Sequence, residues 1–349
     1  MKVLKILCIG PQFRGSNAGA LFRALSRTGH LISIIDEFYY IPFLQEIKLL
    51  KVFNKALRRI YIVEYNKAIR AEYDKLQPDI VLVYKGAFVL PSTVSKLSKN
   101  SLIVNFYPDV SFHTHGPYLR RSLGKYHHIF TTKTFGIVDL EQQLGAKDVT
   151  FIPHGFDPEI HRKLPQTLVD SSPYQCDVSF IGTWSHKKEK ILSFLVKSTP
   201  GINLKVWGNQ WNHNQSINLK SHIQGHALDG DLYALAIQSS KINLGILSEK
   251  VWGASSGDKI TSRTFHIPAT SGFMLHEKNE ESVLYFKEDI EVGFFEHEKE
   301  LISKIDYYLN NEDHRKEIAL SGYNRAQREH ALDHRAKELI NVLVQRFNL

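Results

Sequence analysis

The segment Asn105-Phe-Tyr-Pro-Asp109-Val-Ser-Phe-His113-Thr-His115-Gly116 gathers one carboxylate and two imidazoles directly after an apolar run. A carboxylate so placed suits a general base for an acceptor hydroxyl, and an imidazole beside it suits proton transfer or a substrate contact. Asp109 and His113 are the expected catalytic pair, with His115 as a further contact. A His-x-His pair also suits zinc, but no third ligand stands at recognisable spacing, so no metal is expected. Loop polarity without chemistry is the competing reading.

A second polar stretch runs Ser255-Ser-Gly257-Asp-Lys259-Ile-Thr-Ser-Arg263-Thr-Phe-His266-Ile-Pro-Ala-Thr-Ser271-Gly272-Phe-Met-Leu275. It reads as a Gly-containing loop, a short helix over 263–269 that ends near Ser271-Gly272, and a strand. Lys259 and Arg263 at the helix start combine cations with free backbone N–H groups, a cradle suited to a diphosphate. The alternative is a solvated basic turn. Two glycine loops, Gly10-Pro-Gln-Phe-Arg-Gly15-Ser16-Asn17-Ala-Gly19 and Gly182-Thr183-Trp-Ser-His-Lys187-Lys188, offer further close backbone approach to an anion. Neither matches GxGxxG or GxxxxGK[ST], which argues against a dinucleotide or P-loop site.

These loops need elements to hold them. Short apolar runs at 3–9, 31–35, 79–84, 102–106, 128–132 and 149–152 alternate with helical stretches. The pattern restarts at 177–181, 203–207, 241–247 and 273–275 and closes on helices over 299–310 and 312–346, with Gly322 as their break. Strands alternating with helices imply parallel sheets covered on both faces. The expected fold class is α/β, two Rossmann-like doubly wound domains facing across a cleft, with the C-terminal helix returning to the first. The expected division is 1–160, a linker over 161–175, a second domain over 176–330 and a returning helix over 331–349.

Composition narrows the function. Of 349 residues, 43% are hydrophobic, too many for a disordered chain. Two cysteines, Cys8 and Cys176, exclude a disulfide framework and point to a reducing compartment. No run approaches the roughly 20 apolar residues of a membrane helix, and the opening apolar run is too short for a signal segment. The net charge of +8 is uneven: residues 1–170 carry +9 and the remainder −1. Much of the excess lies in 48–70, where Arg58, Arg59 and Lys67 alternate with aliphatic and aromatic residues at helical spacing. Such a surface suits an anionic acceptor or lipid headgroups, while a solvated helix face is the plainer alternative. No nucleic-acid-binding module accompanies the charge, so nucleic acid is not an expected partner.

The second half resembles the C-terminal domain of GT-B glycosyltransferases, specifically the spore-maturation (CgeB-like) branch of the group-1 transferases. The pieces are Asp177-Val-Ser-Phe-Ile-Gly-Thr183, Val206-Trp-Gly208, Arg263-Thr-Phe-His-Ile-Pro-Ala-Thr-Ser-Gly272, Arg315-Lys-Glu-Ile-Ala-Leu-Ser-Gly322 and His330…Arg335. Pro78-Asp-Ile-Val-Leu-Val-Tyr-Lys-Gly86, Phe130-Thr-Thr, Leu144-Gly-Ala and Pro153-His-Gly-Phe-Asp157-Pro extend it to the first half. The resemblance implies transfer of a sugar from a nucleotide-diphosphate donor to a glycan or lipid-linked acceptor, with no cofactor or metal. It implies that Gly182 and Thr183 lie under the donor phosphates, that Trp207-Gly208 borders the base, and that Arg263 contacts the diphosphate, assisted by Lys187 or Lys188. Lys259, Ser271, Gly272, Gly15, Ser16 and Asn17 complete the expected donor contacts. Where the family commonly has Arg-x-Phe-Glu, with the Glu on the ribose, this chain has His266. The expectation is thus a cytoplasmic transferase, peripheral on the inner membrane face, in surface polysaccharide or glycoconjugate synthesis. A nucleotide-sugar 2-epimerase or a catalytically weak sugar-nucleotide-binding subunit are the alternatives.

Overall fold

A computed structural model describes residues 2–42 and 48–349, with side chains from residue 54 onward in the second of these stretches. The chain forms two compact units. The first comprises Met1–Pro153, Lys250–Ser256 and Asp333–Leu349; the second comprises His154–Glu249 and Gly257–Leu332.

The first unit is built on a sheet of strands β1 (Lys5–Gly10), β2 (Leu31–Asp36), β3 (Ile80–Tyr84), β4 (Leu102–Tyr107), β5 (His128–Thr131) and β6 (Val149–Phe151), in the order β2-β1-β3-β4-β5-β6. All pairings are parallel. The central strand β3, Ile-Val-Leu-Val-Tyr, is buried throughout, as helices on both faces require. Leu7, Ile9, Val81, Val83 and Ile103 meet Tyr65 and Ile69 of the long helix Lys48–Leu76 in the core. The C-terminal helix Leu332–Phe347 belongs mostly to this unit, buries Leu339 and Leu343, and is tied by Arg27–Asp333 at 2.6 Å and Arg346–Asp148 at 2.7 Å.

The second unit carries β7 (Cys176–Ile181), β8 (Leu204–Trp207), β9 (Ser240–Gly245), β10 (Met274–Glu277) and β11 (Gly293–Phe295), again all parallel, ordered β11-β10-β9-β7-β8. Its core joins Val178, Phe180, Leu192, Val206, Leu244 and Leu275.

Three boundaries differ from expectation. The division falls at Pro153/His154, because 161–175 folds onto the second unit: Gln238 Oε1 accepts the Leu164 N–H at 2.8 Å, and Gln166–Asp170 is a helix. The terminal helical run breaks at His330-Ala331, where the backbone bonds to Phe156. Gly322 is instead inside the helix Glu312–Glu329, where a Cβ would overlap the Glu291 carbonyl oxygen. Residues 250–256, expected within the second domain, pack in the first unit.

Candidate active site

In an open parallel sheet ligands gather outside the carboxyl ends of the strands, where the strand order reverses. In the second unit that point lies between β7 and β9. After β7 the chain turns through Gly182–Ser185 into the helix His186–Ser198; after β9 it runs through Ile246–Glu249. The helix Ser262–Ala269 starts nearby, with Thr261 and Thr264 forming a reciprocal cap.

Arg263 is the hub. Its Nη2 donates to the Ile246 carbonyl at 2.8 Å and its guanidinium lies 5.2 Å over the Phe180 ring. Gly182 lets it in: a Cβ there would stand 2.7 Å from Arg263 Nη1. Lys188 is buried, and its Nζ donates to the Thr183 carbonyl at 3.0 Å and the Ser248 hydroxyl at 2.9 Å. Burial, with the Arg263 charge beside it, lowers the ammonium to about 7. The Lys187 N–H, in the first turn of its helix, donates to Glu249 Oε1 at 3.2 Å, so a carboxylate occupies the position that helix N-termini offer to anions. The Lys187 ammonium pairs with Glu277, the last residue of β10, at 2.5 Å, and Lys259 pairs with Glu280, just past it, at 2.8 Å.

The loop after β8 closes against the loop after β7. The Gly182 N–H donates to the Trp207 carbonyl at 2.9 Å, and Trp211 Nε1 donates to the Gly182 carbonyl at 2.9 Å. Gly208, at φ +137°, is pressed so closely on Gly182 that any Cβ would overlap its carbonyl oxygen. The Trp207 ring is buried against Tyr174, so what this position can offer a base is backbone, not indole. A cavity of about 610 Å³ opens beyond Gly208, lined by Asn209, Gln210, Asn214, Lys220 and His226 among others.

Gly182, Thr183, Lys188, Arg263 and, through Glu277 and Glu280, Lys187 and Lys259 therefore gather at one sheet edge. Ser271 and Gly272 do not: they follow the end of helix Ser262–Ala269 and enter β10 at its amino end, the opposite edge, where Gly272 packs on Ile237. His266 is buried, stacked 3.8 Å from His161, with its Nε2 donating to the Gly155 carbonyl at 3.2 Å. Its outward hydrogen bond is already used. Sequence reasoning missed Glu249 and His276; the latter receives the Thr264 hydroxyl at 2.9 Å and steadies the helix that presents Arg263.

The first unit gathers ionisable groups past β3 and β4. Lys85 has a left-handed backbone, φ +62°, held by its N–H to Phe106 and by Asn105 Nδ2 on its carbonyl at 3.1 Å. That turn aims Lys85 Nζ at Asp109 Oδ2, 2.8 Å away, while His115 Nε2 approaches the same oxygen at 3.1 Å. Burial alone would raise the Asp109 carboxyl, but the His115 hydrogen bond and the Lys85 charge outweigh it and hold the group far below the usual range. A carboxylate held that firmly ionised is a weak base, yet it orients an imidazole well. Lys85 and His115 thus join Asp109, and Glu37, buried within reach of the Lys85 charge, is raised to about 7 by burial. His113 is turned elsewhere, with its Nε2 2.9 Å from Gln143 Oε1.

In the loop after β1, Ser16 caps the helix Asn17–Ser26, its hydroxyl accepting from the Gly19 N–H and donating to the Pro11 carbonyl; Gly15 precedes it at φ +96°. On Lys48–Leu76, Arg58 lies over Phe88, Lys67 pairs with Glu64 at 2.7 Å, and Arg59 is exposed beside the exposed Ile60 and Val63. The side chains of Lys48 and Lys51 lie outside the described residues. Among the described residues no three His, Cys, Asp or Glu side chains come together as a metal site.

Residues 187–341 match a family described as glycosyl transferase-like. The whole chain is similar in fold to sucrose-phosphate synthase from Thermosynechococcus elongatus, with a TM-score of 0.69, 12% identity and 99% of each chain covered. A glycosyltransferase from Rickettsia africae gives 0.64 at 15% identity over 99% of each chain. Anabaena HepE in complex with UDP gives 0.60 at 12% identity over 98% of this chain and 100% of the other. The chain has the GT-B fold. No curated protein matches it by sequence. In this GT-B chain the glycosyl transferase-like stretch begins at Lys187 and spans Lys188, Glu249 and Arg263. Among the described residues no helix is long and apolar enough to cross a membrane.

Proposed function

We propose that this GT-B chain transfers a sugar from a nucleotide-diphosphate donor held by its second unit to a hydroxyl of a glycan or lipid-linked acceptor held by its first. One observation carries the reading: Arg263, Lys188 and the starts of two helices converge at the carboxyl edge of β7 and β9, inside or bordering the glycosyl transferase-like stretch. Fixed cations and helix N-termini are what a departing diphosphate needs, and they supply that stabilisation without a metal ion.

Donor binding displaces the Glu249 carboxylate from the Lys187 N–H and places the diphosphate between Lys188 and Arg263. The Asn- and Gln-lined cavity beyond Gly208 takes the nucleoside. As charge leaves with the diphosphate, Arg263 and Lys188 offset it. On the acceptor side His115 takes the hydroxyl proton and Asp109, fixed by Lys85, stabilises the imidazolium so formed. UDP-glucose is the first donor to test, because HepE, of the same fold, has been crystallised with UDP and with UDP-glucose. Arg59, Ile60 and Val63 are exposed side by side, which supports the reading of a peripheral enzyme that meets an anionic acceptor or the cytoplasmic membrane face in surface polysaccharide or glycoconjugate synthesis.

A nucleotide-sugar panel tests the reading, with melting temperature and product release as readouts. Protection by one nucleoside diphosphate and turnover of its sugar donor are expected. Binding without turnover on any acceptor would instead make the chain a sugar-nucleotide-binding subunit, and C2 inversion of the donor would make it an epimerase.

A further inference from the structure

Residues 250–256 form a strap within the first unit, held to it at three points and closed by one bond of its own. Ser111 Oγ donates to the Trp252 carbonyl at 2.7 Å, and Gln143 Nε2 donates to the Gly253 carbonyl at 3.0 Å. The Ser255 N–H donates to Asp139 Oδ2 at 2.9 Å, and the Ala254 N–H to the Val251 carbonyl at 3.1 Å closes the turn. Gly253, at φ +82°, lies so near His113 that a Cβ would overlap the imidazole. The His113 ring meets the Trp252 indole edge-on, centroids 4.6 Å apart, and Gln143 fixes that ring from the other side.

All this holding presents one large aromatic side chain to solvent: Trp252 is 71% exposed. Large aromatics normally bury most of their surface, and an exposed indole on an anchored backbone is prepared for a ligand that covers it. The turn that supports it, Phe112–His115, also carries His115, the partner of Asp109. We propose that Trp252 is the stacking platform for a pyranose ring of the acceptor, with His113 as a positioning residue that sets the indole rather than a group that moves protons. A pyranose ring offers one face of C–H bonds, positively polarised, to the electron-rich face of an indole, and keeps its hydroxyls at the rim for water or a base. A preformed platform gives up little conformational freedom on binding. The choice of an acceptor sugar rests on the transferase reading, which gives the donor to the second unit.

The experiment needs no donor. The full-length chain is titrated with maltotriose, cellotriose and chitotriose, and saturation transfer from protein to the pyranose C–H protons is recorded by NMR; binding of UDP, GDP and dTDP is measured on the same samples. The expected result is transfer to at least one saccharide in the wild type and in Trp252→Phe, and binding at least tenfold weaker in Trp252→Ala and Gly253→Ala. Diphosphate affinity stays unchanged in all three variants. Equal saccharide binding by Trp252→Ala, or none by the wild type, overturns the platform. Failure of the wild type to bind UDP, GDP or dTDP would sink the transferase reading while leaving the saccharide result standing.

Discussion

The Lys188 ammonium donates to the Thr183 carbonyl at 3.0 Å, so one glycine loop is pinned by a buried cation from the helix it opens. The same nitrogen reaches Ser248, which ties the loop after β9 to the loop after β7. Arg263 bonds to Ile246 two residues before Ser248. A diphosphate arriving here meets positive charge whose position is already set.

Lys188 should make donor binding pH-dependent. Its free ammonium titrates at about 7, lowered by burial and by Arg263, and an anionic donor favours the protonated form. Nucleoside diphosphate affinity is therefore expected to fall as pH rises through 7, by up to about tenfold per pH unit. Calorimetric titration between pH 6 and 9 checks this, and Lys188→Met should bind more weakly at pH 6 with the slope gone.

Two glycines separate structure from binding. Gly208→Ala forces a Cβ into the Gly182 carbonyl at a φ of +137°, and a loss of about 3 kcal/mol is expected in urea unfolding. Gly182→Ala meets the movable end of Arg263 at 2.7 Å. It should cost little stability but weaken donor binding about tenfold by turning the guanidinium aside.

Much of the fold was legible in the sequence, and for a physical reason. Short runs rich in Val, Ile and aromatic residues, such as 79–84 and 177–181, fit strands buried on both faces, and the observed β3 and β7 lie within a residue of them. Arg263 was legible because cation and helix start are local. Lys85, Glu249 and the strap at Trp252 were not, because their roles come from partners far along the chain: Asp109 for Lys85, Lys187 for Glu249, and Ser111 and Gln143 for the strap. His113 and His115 differ by two positions in sequence, yet one faces Gln143 and the other Asp109.

Acid should open the second unit early. His161 accepts the Asp157 N–H at 3.1 Å and stacks on His266, while burial holds His161 near 3, His276 near 4 and His266 well below 6.5. Unfolded histidines titrate near 6.5, so the folded state binds fewer protons below that pH and loses stability as pH falls from 6.5 towards 3. Each histidine contributes about 1.4 kcal/mol per pH unit inside its window. Melting curves from pH 7.5 to 4.5 check this, and His161→Phe should flatten the dependence.

The Asp109–His115 pair predicts a division of labour. His115→Ala should lower kcat by about 100- to 1,000-fold with donor KM unchanged, as removal of a general base does. Asp109→Asn should lower kcat less, because the imidazolium formed on His115 loses its carboxylate but the base itself remains. His113→Ala should act through acceptor KM instead.

The donor site proposed at Arg263 carries the whole reading, and calorimetric titration with UDP, GDP and dTDP at pH 6.5 tests it most directly. One diphosphate should bind the wild-type chain with micromolar affinity, and Arg263→Ala should bind it at least 100-fold more weakly while melting within a few degrees of wild type. Binding to neither protein, or equal binding to both, would contradict a nucleotide-sugar site at the edge of β7 and β9.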